Sequence, residues 1–456
     1  MSGEGTEPVP PPITSSPRVG LGQRLLHLAY DGVSGCVWLF LLPLFLVAGL
    51  FRGQHARKAL RVSTFGLERL PPSDPERPRV LVHGVSVGEI KASQSLVAAL
   101  QDRYEVVVSA LSDTGIQVAR QLYPDTTIVR YPFDFRPLVS RFWRRVQPDF
   151  VLLMELEAWP CFLRIANRRG APVAVVSGRI TERSFRRYRL FGSLPEFGRI
   201  SLFAAQDEAY AGRFADLAGS WERIVVTGNV KIDGLRGPAV DPSDEAMIEL
   251  RRSAGLDASD PPFTVVAGST HDDEEVQFVE TAAARIPDAR LIVVPRHPGR
   301  CSSVVQAVAS VLPPERGPER LSELRAAGRA GDPRRPLLVD TIGELEGLYG
   351  LGDAVFVGGS LVPHGGQNMM EPAAQGIPVI YGPHVDNFLR ETEMLERVGA
   401  ARRVPDAAAL GDALAELRDD PDLRARMAAA GRDAIAAQQG ATRATLDALR
   451  ERLLLS

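Results

Sequence analysis

From about residue 78 the chain alternates short apolar runs with longer amphipathic stretches: RPRVLVHG gives way to EIKASQSLVAAL, and YEVVVSAL to GIQVARQLY. An apolar run without a polar face suits a strand covered on both sides, and the amphipathic stretch behind it suits a helix lying on one of those sides. Repetition of the pair predicts βαβ units and a parallel sheet. Further strands are predicted at PDFVLLME, APVAVVSG, ISLFAAQ and RIVVTG, after which residues 234–262 interrupt the rhythm with Pro, Gly and Asp. A second series runs through FTVVAGST, RLIVVPRH, PLLVD, DAVFVGGS and IPVIYG. The prediction is an α/β protein of two Rossmann-like domains facing across a cleft, with ligands beyond the carboxyl ends of the strands.

The first 20 residues, rich in Pro, Gly and Ser, have no apolar period and are predicted to be disordered. From Val33 to Phe51 the sequence VSGCVWLFLLPLFLVAGLF carries no charge and is about long enough to cross a hydrocarbon layer of roughly 30 Å. Arg52, Arg57, Lys58 and Arg61 follow it closely, which predicts a single transmembrane helix with the folded part on the cytoplasmic side. A cleaved secretory signal is the rival; the long acidic, Pro-rich start and Pro43 inside the run argue against it. The predicted segmentation is a disordered start (1–31), an anchor (32–51), a basic juxtamembrane linker (52–78), a first domain (79–235), a linker (236–262), a second domain (263–435) and a C-terminal helix (436–456).

Composition narrows the picture. A chain of 456 residues, 45% of them hydrophobic, can bury two ordinary cores. Cys36, Cys161 and Cys301 are too few and too scattered for a disulfide framework or a zinc site, so no structural metal and a reducing compartment are expected. The balance of 53 basic against 56 acidic residues conceals a stretch, 130–200, with 14 Arg, no Lys and six acids. That stretch is a candidate surface for an anion or simply a solvated Arg-rich face. Nucleic acid is not among the partners expected.

In Val80–Ile90 (VLVHGVSVGEI) a buried strand runs through a turn containing Ser86 and Gly88 into a helix, which puts Glu89 in the first helical turn. A carboxylate there is favoured by the helix dipole and predicted to stay ionised. It has two readings: a general base that takes the proton from an attacking hydroxyl, or a helix cap. In the second half AGSTH (267–271), PRHPGR (295–300) and GGQNMME (365–371) each follow a strand and lead towards a helix. Such turns offer backbone N–H groups to phosphate, to which Arg296 and His297 could add charge. Glu371 could accept from ribose hydroxyls or simply complement a helix start. GxGxxG and P-loop spacings are missing, which disfavours dinucleotide oxidoreductases and P-loop ATPases. Asp272, Asp273, Glu274 and Glu275 are predicted to form a solvated helix start rather than a metal site.

Eight stretches carry a resemblance in order: HGVSVGE (83–89), MELEAWP (154–160), SGRITERS (177–184), TGNVKID (227–233), GSTHDDEE (268–275), VPRHPGR (294–300), TIGELEGLY (341–349) and VGGSLVPHGGQNMMEPAAQGIPVIYGPHVDNF (357–388). With them the chain resembles the 3-deoxy-D-manno-octulosonic acid (Kdo) transferase family over about residues 64–400. The resemblance implies a GT-B glycosyltransferase of the inner membrane, inverting and independent of metal or other cofactor, that moves Kdo from CMP-Kdo to the phosphorylated, acylated glucosamine disaccharide precursor of lipid A. It implies Glu89 as general base, and a donor site in the second domain formed by Ser269, Thr270, Arg296, His297, Ile342, Gly343, Glu344, Gly365, Gly366, Gln367, Asn368, Glu371 and Asn387. Ser86, Gly88, Arg179, Arg183, Arg186 and Arg187 fall on the acceptor side, where surface-only roles are the alternative for the arginines. The chain departs from the family at Gln367, where His is common, at Ser177, where Asn is usual, and at Ala158. Rival expectations are another GT-B enzyme, such as a lipid A disaccharide synthase or a nucleotide-sugar epimerase, and a catalytically silent membrane-tethered lipid-binding protein.

Overall fold

The structure, a computed structural model, describes residues 21, 24–37, 70, 76–191, 196–235, 237 and 245–453. They form two compact units: residues up to Gly234 together with those from Gln438 onward, and Leu235–Ala437.

In the first unit seven parallel strands, β1 (Arg79–Gly84), β2 (Glu105–Ala110), β3 (Thr127–Arg130), β4 (Phe150–Met154), β5 (Val173–Gly178), β6 (Leu202–Ala205) and β7 (Ile224–Val226), lie in the order 3-2-1-4-5-6-7. Alternate residues of each strand face opposite layers. Leu81, Val107, Val151, Leu153, Val173, Val175 and Phe203 join one core with Phe142, Trp143 and Phe162; Val80, Val82, Val106, Val108, Leu152, Ala174 and Val176 join another. Burial on both faces explains why these strands read as unbroken apolar runs.

The second unit repeats the plan with β8 (Thr264–Thr270), β9 (Arg290–Pro295), β10 (Glu319–Arg320), β11 (Leu337–Leu338), β12 (Ala354–Val357), β13 (Val379–Tyr381) and β14 (Ala401–Arg403), in the order 10-11-9-8-12-13-14. In each sheet the chain leaves in opposite directions from one central pair, β1 and β4 in the first, β8 and β12 in the second. A crevice opens beyond the carboxyl ends of strands at such a switch point.

The segmentation read from sequence changes at both ends. Residues 24–31, expected to be disordered, lie in a helix covering 24–37. It is held by polar side chains: the Tyr30 hydroxyl donates to Asp134 at 2.8 Å, Asp31 pairs with Arg164, and the buried His27 stands 3.0 Å from Glu196. These partners lie 100 or more residues away and give the segment a reason to fold that local composition does not contain. Of the expected transmembrane run, 38–51 lies outside the described residues; among the described residues no helix is long and apolar enough to cross a membrane.

The helix Ala441–Leu453 belongs to the first unit and is no separate element. Ala441, Ala448 and Leu449 complete the core that contains Val80 and Leu152. Its first N–H groups lack intrahelical partners, and the Asp233 carboxylate accepts from Gly440 N at 2.8 Å, from Ala441 N and from Thr442 N. Asp233→Ala is therefore expected to cost about 1–2 kcal/mol, the scale of a strong helix cap, read as a lower denaturation midpoint of the first unit.

Candidate active site

The first cluster lies beyond the carboxyl ends of β1, β4 and β5. Ser86 caps the short helix Val87–Ala92, its hydroxyl accepting from Glu89 N at 3.2 Å and donating to Glu89 Oε1 at 2.7 Å. The second carboxylate oxygen accepts from Val85 N at 2.8 Å. Ser86 and Glu89 bond each other much as in a capping box, except that the carboxylate reaches Val85 N, one residue before the cap, and this fixes the Glu89 side chain against the turn. A Cβ on Gly84 would stand 3.1 Å from the Glu89 Cβ, so a glycine at the strand end lets the helix come close. Glu89 is 7% exposed, and burial pushes its pKa above the ordinary value against the bonds from Ser86 and Val85. That differs from the sequence expectation: burial, more than the helix start, sets the charge of this group.

Glu89 has acidic neighbours that sequence reasoning did not single out. Glu155 follows β4 with a left-handed backbone (φ 57°) and pairs with Lys231. Glu157, two residues on, accepts from the Trp159 indole at 3.0 Å, and burial followed by the charge of Glu89 pushes its pKa up to about 7. Ser177, also left-handed (φ 53°), donates to Asn229, and Gln206 donates to the Ser177 hydroxyl and carbonyl. Left-handed non-glycine residues cost of order 1 kcal/mol or more and collect at functional sites. The usable signal in the sequence was an acid, Glu155, placed directly behind the buried strand β4.

Arg179, Arg183, Arg186 and Arg187 are exposed, the last three on the helix Glu182–Phe191. Arg186 pairs with Glu182 at 2.9 Å, and Arg187 lies over the Tyr188 ring. Ser86 and Gly88 are exposed beside Glu89.

Glu157 has a consequence for stability. Its carboxyl ionises near 4.5 when unfolded and near 7 when folded, so the folded protein holds the proton more tightly. The stabilisation from that proton is complete below about pH 4.5 and is lost as pH rises to about 7. Glu157→Gln is therefore expected to raise the melting temperature at pH 8 while leaving it near wild type at pH 4.5. An equal change at both pH values would refute this origin.

The second cluster lies beyond β8, β9, β12 and β13. Ser269 is left-handed (φ 55°) where the pairing of β8 with β9 shifts register. Thr270 is fully buried, and its hydroxyl donates to Glu275 at 3.0 Å. His271 stacks on His364 at 4.2 Å between ring centres, stands edge-on to His297 at 6.2 Å, and meets the Gln367 amide at 3.1 Å between nitrogens. The Gln367 N–H₂ donates, so His271 Nε2 is the acceptor and carries no proton there. Burial, His364 and His297 lower the His271 pKa, which favours the neutral ring. Gln367, the departure from the family pattern, thus fixes the tautomer of a neighbouring histidine. Arg296 and His297 are exposed. Gly365 and Gly366 are left-handed (φ 84° and 79°), and a Cβ on Gly365 would lie 2.5 Å from Asn387 Nδ2. Asn387 Nδ2 donates to the His364 carbonyl at 3.0 Å. Asn368 Nδ2 donates to Glu371 at 2.9 Å and orients that carboxylate. Ile342 is 88% exposed beside the left-handed Gly343, and Glu344 is gripped by both terminal nitrogens of Arg325.

The acidic helix start departs from expectation. Asp272 and Asp273 are exposed, but Glu274 and Glu275 are 0% and 2% exposed. Glu275 pairs with Arg300 at 3.1 Å as well as with Thr270. A register of four acids cannot reveal that the last two turn inward towards the turns after β8 and β12.

The family profile described as 3-deoxy-D-manno-octulosonic-acid transferase (kdotransferase) matches residues 58–234. A 3-deoxy-D-manno-octulosonic acid transferase of Bordetella pertussis is 32% identical over 450 residues, spanning 94% of this chain and 99% of that protein. The chain belongs to the Kdo transferase family. A second member, from Haemophilus influenzae, is 31% identical over 86% of the chain and 91% of its own length. Membership makes the protein a glycosyltransferase. Among solved structures, UDP-GlcNAc 2-epimerase of Neisseria meningitidis superposes with a TM-score of 0.57 at 13% identity over 81% of this chain and 99% of that one. A glycosyltransferase of Rickettsia africae gives 0.54 at 15% identity over 83% and 100%. At such identities these likenesses establish the shared two-domain α/β architecture and nothing about substrate.

Proposed function

We propose that this Kdo transferase moves Kdo from CMP-Kdo to lipid IVA, the acylated and phosphorylated glucosamine disaccharide, by a single inverting displacement with Glu89 as general base. The observation that carries the reading is the buried Glu89 carboxylate, fixed by Ser86 and Val85 at the switch point of the first sheet. An acceptor hydroxyl beside it loses its proton to the carboxylate as its oxygen bonds to the anomeric carbon of Kdo. The bond from that carbon to the CMP phosphate oxygen breaks, and the electron pair leaves with CMP. A carboxylate whose pKa is raised by burial is a stronger base than an exposed one.

The second unit supplies the donor site in this reading. Arg296, His297 and the backbone N–H groups of the Gly365–Asn368 turn offset charge on the departing phosphate without a metal ion, while Ser269, Glu371 and Asn387 orient the nucleotide. The exposed arginines 179, 183, 186 and 187 supply cationic surface for the acceptor phosphates.

We also infer a single N-terminal span over residues 32–51, with both units on the cytoplasmic side of the inner membrane. Support comes from the helix that runs into it: His27, Tyr30 and Asp31 turn towards the first unit, whereas Leu25 and Leu28 are 58% and 65% exposed. Such an inverted amphipathic helix suits an apolar surrounding on its outer side.

The test is mass spectrometry of the lipid made by the full chain from CMP-Kdo and a tetraacylated precursor. Addition of Kdo is the expected result. Transfer of a hexosamine from a UDP-sugar instead, or no transfer, would reject the reading.

A further inference from the structure

One carboxylate joins the turn after β8 to the turn after β12. Glu274 opens the helix Glu274–Arg285, and it has no solvent exposure. Oε1 accepts from Ser360 N and Leu361 N, both at 2.9 Å; Oε2 accepts from Gly359 N at 2.6 Å and His271 N at 2.9 Å. A carboxylate has about four lone-pair sites, and backbone donors fill all of them. Successive N–H groups converging in this way form a cradle of the kind that binds external anions; here a side chain of the protein occupies it.

The consequence extends past the turn itself. Gly366 N donates to the Gly359 carbonyl at 2.8 Å, and Gly382 N donates to the Ser360 hydroxyl at 2.8 Å, so the segment Glu274 holds is tied to the loop bearing Gln367, Asn368 and Glu371 and to the end of β13. His271, whose own N–H is one of the four donors, meets Gln367 and His364 from the other side. Helix start, His271 turn and donor-side loop therefore share one anchor.

We propose that Glu274 is a positioning residue for the donor: it sets the separation between His271 and the Gln367–Glu371 loop without touching substrate. The proposal rests on the reading of this unit as the donor half. An amide is a poor replacement, because each carboxylate oxygen takes two N–H groups and the N–H₂ of Gln must face two donors whichever way it turns.

The experiment compares wild type, Glu274→Gln and Glu274→Asp in the full chain, measuring the Kd for CMP by calorimetry, KM for each substrate, kcat and the melting temperature. Glu274→Gln is expected to raise the CMP Kd and the CMP-Kdo KM by about tenfold or more, with kcat and the acceptor KM within roughly twofold of wild type. Glu274→Asp, which keeps the charge, is expected to recover part of the loss. Unchanged CMP affinity in folded Glu274→Gln would overturn the proposal. So would failure of both variants to give a folded second unit by circular dichroism, since the role would then be general stability. Failure of wild type to bind CMP would remove the donor reading itself.

Discussion

Glu89→Gln is expected to reduce kcat for Kdo transfer about a thousandfold, within the range that a positioned general base contributes and equivalent to roughly 4 kcal/mol of barrier. The substitution preserves volume; the Gln carbonyl can still accept from Val85 N while its N–H₂ donates to the Ser86 hydroxyl, which can accept as well as donate. What it removes is the ability to take a proton. CMP affinity, which the proposed function assigns to the second unit, is expected to stay at the wild-type value, and the melting temperature to change little. Retention of more than about a tenth of wild-type kcat would exclude Glu89 as the base.

Gly358→Ala is expected to destabilise the second unit strongly. The Gly358 N–H donates to the Gly268 carbonyl at 2.9 Å where β12 runs beside β8. An added Cβ would stand 2.5 Å from Thr270 Cα, 2.7 Å from the Ser269 carbonyl oxygen and 2.8 Å from Thr270 N. All three are backbone atoms of a buried strand, so no rotamer change relieves the clash; the two strands must separate at the switch point. A cost of about 3 kcal/mol corresponds to a fall of roughly 6–12 °C in the melting temperature of a unit this size. Because Ser269 and Thr270 are the residues displaced and the proposed function sets them beside the donor, the CMP-Kdo KM is expected to rise with it. Calorimetric scanning and donor titration of the same preparation measure both, and a melting temperature within about 2 °C of wild type would contradict the packing argument.

Most of the fold was legible because central parallel strands are buried on both faces. Eleven apolar runs read from the sequence coincide with β1, β2, β4–β9 and β11–β13. The three strands without such a signal are β3, β10 and β14, each at the edge of a sheet. β10 is two charged residues, Glu319–Arg320, and β14 reads ARR. Edge position removes the burial that makes a strand visible as an apolar run.

The sites were legible to the extent that local turns build them. The strand–turn–helix pattern led to Glu89, and the Gly-rich turns led to Gln367, Asn368 and Glu371. What stayed hidden depends on partners far along the chain: Glu157 owes its raised pKa to burial and to Glu89, 68 positions away, and Glu274 is buried because it meets N–H groups at 359–361. Local charge patterning treats a run of acids as hydrated unless a distant donor set is known.

The return of Ala441–Leu453 to the first sheet has a consequence for biosynthesis. During translation the polypeptide that will form Leu235–Ala437 emerges before that helix does, leaving the surface that awaits Ala448 and Leu449 uncovered in the meantime. Nascent molecules paused at that stage would present a sticky, half-finished sheet, a client for holdase chaperones until that helix docks and seals it.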